Sequence, residues 1–289
     1  MDTSLRIERA LAVAIARTEV EGAPPKLAAG LSYAVFPGGA RMRPRLCLEV
    51  ARACSEDSPA LSDAAAVAIE LLHCASLVHD DLPCFDDAPM RRGKPALHHA
   101  FDERIAVLSG DALIVLAFET LAMAGAALPQ RLATILQIVS RAVGAPTGIV
   151  AGQAWECEPQ IDLVDYQRAK TGALFAGATM AGAAAAGAEP GPWRTLGAKL
   201  GEAYQVVDDI RDVASHPDEL GKPVGQDVAL DRPSAARELG IPGAIHRLEQ
   251  LVTEAIASIP SCAGATELRA IMLAEMQQLL PKNVSQGAS

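Results

Sequence analysis

The residues best able to do chemistry fall in two short acidic clusters. His79-Asp80-Asp81-Leu82-Pro83-Cys84-Phe85-Asp86-Asp87 closes one apolar run, and Asp208-Asp209-Ile210-Arg211-Asp212 follows another. Carboxylates are costly to bury unpaired. Several of them beside a core helix therefore imply solvent in a cleft, basic partners, or hard cations that prefer oxygen ligands. Pro83 ends or kinks the first helix and lets Asp86 turn back toward Asp80. Asp208 and Asp212, four apart, share a helix face and can address one cation. Either cluster alone reads as readily as a solvated helix end, but two of them on separate apolar helices favour a metal-lined cleft.

Cations stand close by in the sequence. Met90-Arg91-Arg92-Gly93-Lys94-Pro95 follows the first cluster directly, and guanidinium forks suit phosphate oxygens. An anion bridged by Mg²⁺ to the carboxylates accounts for both signs of charge together, while an ion-paired surface is the plainer alternative. Further cations sit at or near helix breaks: Arg41 and Arg43 after Gly38-Gly39, Lys170 before Thr171, and Lys222 between Gly221 and Pro223.

The elements that must position these groups read as helices. Ala64 to Asp81, Ile105 to Ala127, Leu128 to Gly144, Tyr166 to Ala188 and Trp193 to Val213 are long, apolar and rich in helix formers, and no stretch alternates like a strand for long. Breaks fall at Pro37-Gly38-Gly39, Pro83, Pro89, Gly93 to Pro95, Gly144 to Pro146, Pro159, Pro190 to Pro192 and Pro217 to Gly225. Periodicity predicts about eight to ten helices. With 50% apolar but only 3% aromatic residues, the core must be built from Ala, Leu, Val and Ile, which points to an all-α bundle. The 289 residues show no composition break, so a single domain over 1–289 is expected.

Composition also excludes several roles. A net charge of −10 with scattered basic residues argues against a nucleic-acid surface. The six cysteines form no C-x-x-C pair and read as small core residues in a reducing compartment, not as disulfides or zinc ligands. The first residues, with Asp2, Arg6, Glu8 and Arg9, make a poor signal peptide, so the cytoplasm is expected. The Ala-rich stretch Ala173 to Ala188 is too short to span a bilayer and reads as a buried helix, so no stable membrane insertion is expected.

With these residues in hand, the chain resembles the trans-isoprenyl diphosphate synthases over essentially its whole length, and looks most similar to the bacterial carotenoid-pathway geranylgeranyl diphosphate synthases. The most specific stretch runs from Leu72-His73-Cys74-Ala75-Ser76-Leu77-Val78-His79-Asp80-Asp81 through Arg91-Arg92-Gly93-Lys94-Pro95 to Gly110-Asp111-Ala112-Leu113. Gly152-Gln153, Lys170-Thr171-Gly172, Tyr204-Gln205-Val206-Val207-Asp208-Asp209 and Gly221-Lys222-Pro223-Val224-Gly225-Gln226-Asp227 support it. The resemblance implies a bundle of mostly antiparallel helices around a deep central cavity, a homodimer, and two facing acidic walls. It implies three Mg²⁺ ions held by Asp80, Asp86 and Asp208, with support from Asp81, Asp209 and Asp212. Arg91, Lys170 and Lys222 would hold the allylic diphosphate. Arg43, His73 and Arg92 would bind isopentenyl diphosphate, with Arg41 nearby, and Thr171 and Gln205 would line the reacting centre. One departure is Ala40, where the family commonly has Lys after Gly-Gly. Another is the missing Lys after Gln226-Asp227, a place that Arg232 could fill.

The implied reaction ionises an allylic C–O bond and lets the double bond of isopentenyl diphosphate attack the resulting cation, with the released diphosphate taking the proton. No enzyme nucleophile is needed. Product length would follow from residues one or two turns below Asp80: small Ala75 and Ser76, then Leu72. A bulky aromatic there stops family members at fifteen carbons, so the small pair favours geranylgeranyl diphosphate. A farnesyl diphosphate synthase, a non-catalytic partner subunit and a terpene cyclase are the rival readings.

Overall fold

Helix starts follow local chemistry. In the computed structural model, which describes residues 2–160, 163–214 and 235–279, α1 (Thr3–Ala16) begins where the Asp2 carboxylate accepts from the Ser4 N–H. Prolines occupy the first turn of α2 (Pro25–Val35), α4 (Pro59–Asp80) and α7 (Pro129–Val143), where a missing N–H costs nothing. Helix α3 (Met42–Ala53) follows Arg41, whose backbone is left-handed. A hairpin, β1 (Met90–Arg91) paired antiparallel with β2 (Lys94–Pro95), is the only β-structure among the described residues. It turns through Arg92 and Gly93, both at positive φ. A single turn, α5 (Leu97–Ala100), leads into α6 (Glu103–Gly125), capped by Asp102.

The second half holds α8 (Ile149–Trp155), α9 (Leu163–Gln167), α10 (Ala173–Ala185), α11 (Arg194–Ala214), α12 (Ala235–Ala257) and α13 (Ala265–Leu279). Gly240, with φ 67°, breaks the regular geometry inside α12. The all-α expectation is borne out. One expected element is corrected: Tyr166 to Ala188 is not one continuous α-helix. A π-helical turn, Arg168–Gly172, interrupts it. One extra residue per turn leaves the apolar pattern on either side intact, so periodicity does not register it.

Helix α4 is buried on almost every side and packs against α1, α3, α6 and α10. The Ala-rich α10 is the buried helix expected, and its small residues let neighbours approach: at Gly182 a side chain would collide with the backbone of Cys47 on α3. A second apolar cluster joins α3, α10 and α11 to α12 and α13. All six cysteines are free thiols. Burial pushes those of Cys47 and Cys74 up to about 12 and that of Cys54 up to about 11, so none of these three is a nucleophile at neutral pH. Among the described residues two helices, α4 and α6, are long and apolar enough to cross a membrane; the most apolar stretch of α4 is 78% buried in the protein but that of α6 only 44%.

Candidate active site

The first acidic cluster forms because α4 stops at Asp80 and the chain folds back over its own end. Asp86 N–H donates to Asp80 O (3.0 Å), and Ala88 N–H donates to Asp81 O (3.2 Å). This is the return toward Asp80 that Pro83 led us to expect. It brings carboxylate oxygens of Asp80 and Asp86 within 4.8 Å of each other and of Glu156, just beyond α8. Three hard oxygen donors at that spacing fit a Mg²⁺-type ion. Asp81 takes a different course: its buried carboxylate is gripped by Arg91 through both Nε and Nη2. Burial works to push Asp81 up, and the guanidinium opposes it. Glu156, which the sequence left without a role, stands with Asp80 and Asp86, while Asp81, expected to support them, is paired with Arg91.

Lys170 sits at the rim of this cluster. Its Nζ lies 2.6 Å from Glu156 Oε1 and 3.5 Å from Asp80 Oδ2, and Tyr166 Oη also donates to Glu156 (2.6 Å). Burial works against the ammonium charge, but Asp80, Tyr166 and Glu156 outweigh it and hold Lys170 above the usual lysine range. Gln153 Nε2 donates to both Ser76 O (3.2 Å) and Asp80 Oδ1 (3.3 Å). The face of α4 carrying Leu72, Ser76 and Asp80 therefore looks toward α8. Ala75 and Leu72 are fully buried in the main core.

The second cluster is reached through the residue next to Lys170. Thr171 Oγ1 donates to Gln205 Oε1 (3.2 Å), and Gln205 Nε2 donates to buried Asp209 Oδ1 (3.1 Å). Adjacent residues of the π-turn thus serve both acidic helices, Lys170 reaching Asp80 on α4 and Thr171 reaching Gln205 on α11. A side chain at Gly152 on α8 would collide with the Lys170 backbone, so a glycine is needed where α8 lies against this turn. Asp208, half-buried, is an electrostatic neighbour of Arg43 and Tyr204. Asp212 lies on α11, but its side chain, like Lys222, the segment Gly221 to Asp227 and Arg232, falls outside the described residues.

A cationic corner lies beside the second cluster, with Arg43 an electrostatic neighbour of Asp208. Arg43 lies 4.4 Å from the Phe175 ring centroid and 6.0 Å from that of Tyr204, with Nη1 3.3 Å from His73 Nε2. Burial lowers the Arg43 guanidinium, and its Nε is buried without a hydrogen-bond partner among the described residues. Burial together with Arg43, Arg92 and Arg91 holds His73 well below the usual histidine range, so it is neutral at pH 7. Arg92 lies against Gly39, where a side chain would crowd it. Neutral His73 beside two arginines, one with an idle buried donor, makes a ready anion site. Arg41 does not join it. Its guanidinium turns inward to Glu8 (2.8 Å), Glu70 (2.6 Å) and Val35 O (2.8 Å), so its role is structural.

Glu156, Tyr166 and Gln153 received no role from the sequence. A lone acid after Gly152-Gln153 carries no spacing signal, since Glu158 stands two residues away. Lys94 is likewise more than a loop cation: its Nζ donates to Phe36 O (2.7 Å) and Tyr33 O (2.5 Å), fastening the hairpin to the end of α2.

Residues 24–265 match the polyprenyl synthetase family model. This chain belongs to that family. Among the relatives of this polyprenyl synthetase, the geranylgeranyl diphosphate synthase of Cereibacter sphaeroides is 56% identical over 280 residues, 97% of each chain. That of Rhodobacter capsulatus is 51% identical over 279 residues, 96% of this chain and 95% of the relative. A geranyltransferase from Helicobacter pylori, solved with magnesium and isoprenyl diphosphate, matches with a TM-score of 0.78 at 29% identity, covering 96% of this chain and 97% of that one.

Proposed function

We propose that this polyprenyl synthetase joins isopentenyl diphosphate to an allylic diphosphate and releases mainly geranylgeranyl diphosphate. The observation that carries the reading is the adjacent pair Lys170 and Thr171, which reach Asp80 and, through Gln205, Asp209, with Arg43 and His73 beside Asp208. An allylic diphosphate needs that arrangement, because its leaving group gathers negative charge that only nearby cations can stabilise.

Asp80, Asp86 and Glu156 on one side, and Asp208 with Asp209 and Asp212 on the other, would hold three Mg²⁺ ions. When bound, Mg²⁺ stabilises the charge on the departing diphosphate as a Lewis acid. Asp81 acts indirectly by aiming Arg91 at that diphosphate. Lys170, held charged, and Lys222 bind it too. Isopentenyl diphosphate takes the Arg43, His73 and Arg92 corner, where the idle Arg43 Nε offers a donor and neutral His73 can donate without adding charge. Thr171 and Gln205, between the two sites, position the reacting carbons and leave no strong base near the allylic cation. The released diphosphate takes the proton. The tail is assigned to the face of α4 below Asp80, where small Ser76 and Ala75 stand in place of the bulky aromatic that would stop it at fifteen carbons, with Leu72 one turn further.

The chain works as a cytoplasmic homodimer. Exposed Val107, Leu108, Val115 and Met123 line the outer side of α6, whose apolar stretch is less than half buried, and a second copy would cover them. Incubating purified protein with Mg²⁺, isopentenyl diphosphate and each allylic primer in turn, followed by product chromatography, tests the reading. Diphosphate release that depends on isopentenyl diphosphate and a dominant twenty-carbon product are expected. A product dominated by fifteen carbons, or by thirty or more, would refute the assigned length, and an inert chain would favour a partner subunit, for which the neutral Ala40 is the one supporting feature.

A further inference from the structure

A second set of ligand-type side chains lies outside the oxygen-lined cluster. Asp87 ends the loop that folds over α4, where its backbone is left-handed (φ 46°) and its N–H donates to Leu82 O (3.1 Å). Facing it, α5 carries His98 and His99, with ring centroids 4.3 Å apart. One ligand atom from each of Asp87, His98 and His99 lies within 4.8 Å of the other two.

His98 is the unusual member. Its side chain is 5% exposed, yet neither Nδ1 nor Nε2 has a hydrogen-bond partner among the described residues. A buried polar group left idle costs about 1–3 kcal/mol, and such groups in folded proteins generally mark a bound water, an ion or a function. The nearest carboxylate oxygen, Asp87 Oδ1, is 3.9 Å from Nε2, too far for a hydrogen bond. It is close to the spacing of two ligands on one ion, since bonds of 2.0–2.2 Å in a tetrahedral site place neighbouring ligands roughly 3.3 Å apart.

We propose that Asp87, His98 and His99 bind a divalent ion of the zinc class, at a site separate from the Asp80, Asp86 and Glu156 set. Two imidazoles and one carboxylate suit Zn²⁺, Co²⁺ or Ni²⁺, whereas Mg²⁺ prefers oxygen alone. Three protein ligands leave the fourth position to water. The ion fastens Asp87 to α5 and so fixes the loop that carries Asp86 one residue earlier. His98 is also an electrostatic neighbour of Asp81, so the charge on the ion reaches the carboxylate that holds Arg91. The site is therefore structural support for the first acidic cluster and does not depend on the identity of the substrate.

The test uses the full chain, stripped with a chelator and kept in excess Mg²⁺ to fill the oxygen-lined sites. Co²⁺ is titrated in while its visible ligand-field absorption is followed, and bound metal is counted after desalting. One ion per chain with the intense absorption of a four-coordinate site is expected, displaced by Zn²⁺. Asp87→Asn and His99→Ala, both at exposed positions, should each weaken binding by at least about 100-fold, since even a partner of a ligand is worth 10–100-fold. Thermal melts without transition metal confirm that both variants fold. Asp80→Asn should retain the signal. Unchanged affinity in either of the first two variants, a six-coordinate spectrum, or loss of the signal in Asp80→Asn overturns the proposal.

Discussion

Lys170 holds two carboxylates together in the absence of a metal, and removing it has a calculable cost. The Lys170→Met side chain keeps the apolar stem but leaves Asp80 and Glu156 beside Asp86 without the ammonium. Lys170, Asp80 and Glu156 are 20%, 9% and 17% exposed, so water screens the remaining charges only in part. Breaking a buried ion pair by removing one partner costs about 3–5 kcal/mol; with this exposure, about 3 kcal/mol is expected, or a fall in melting temperature of about 6 °C. A divalent cation supplies the missing charge at the same place. Adding Mg²⁺ should therefore raise the variant by more than it raises the wild type, closing at least about half of the gap through preferential binding to the folded state. Denaturant unfolding with EDTA and with saturating Mg²⁺, on both proteins, measures all four stabilities. A variant as stable as wild type in EDTA, or equal Mg²⁺ increments in the two proteins, would refute the claim that Lys170 and the metal answer the same carboxylates.

Other outcomes follow from the same structure. Ala75→Phe puts an aromatic ring one turn below the acidic cluster and should move the main product from twenty carbons toward fifteen; an unchanged product profile on chromatography would remove Ala75 from the wall of the tail site. His73 is held neutral in the folded chain but titrates near 6.5 when unfolded. The unfolded state then binds the extra proton, so stability is complete above that value and falls as pH drops below it, by up to about 1.4 kcal/mol per pH unit. His73→Gln should flatten unfolding curves measured between pH 7.5 and 5, and an identical slope would show that another group carries the effect. Arg41→Met leaves buried Glu70 without its guanidinium and should cost about 3 kcal/mol of stability in denaturant melts. Because Arg41 faces Glu8 and Glu70, the KM for isopentenyl diphosphate should stay within about twofold of wild type; a large rise would return Arg41 to the substrate site.

Much of the molecule was legible in its residues. Apolar helical runs broken by proline and glycine gave the helices, because local pattern and propensity agree along most of the chain. The two Asp clusters, Arg43, Arg91 and Arg92 stood out by charge beside apolar sequence, His73 came only through the family resemblance, and Pro83 announced the return of Asp86 toward Asp80. Spacing along the chain does not say which carboxylate meets which cation. Only packing decided that Arg91 claims Asp81, that Arg41 turns inward to Glu70, and that Glu156, about seventy residues beyond Asp86, joins the first cluster. The π-turn is the clearest case: one added residue is invisible to periodicity, and which helices Lys170 and Thr171 meet is seen only in the fold. Helical pattern is a local property, whereas the pairing of buried charges is settled by which elements meet when the core closes.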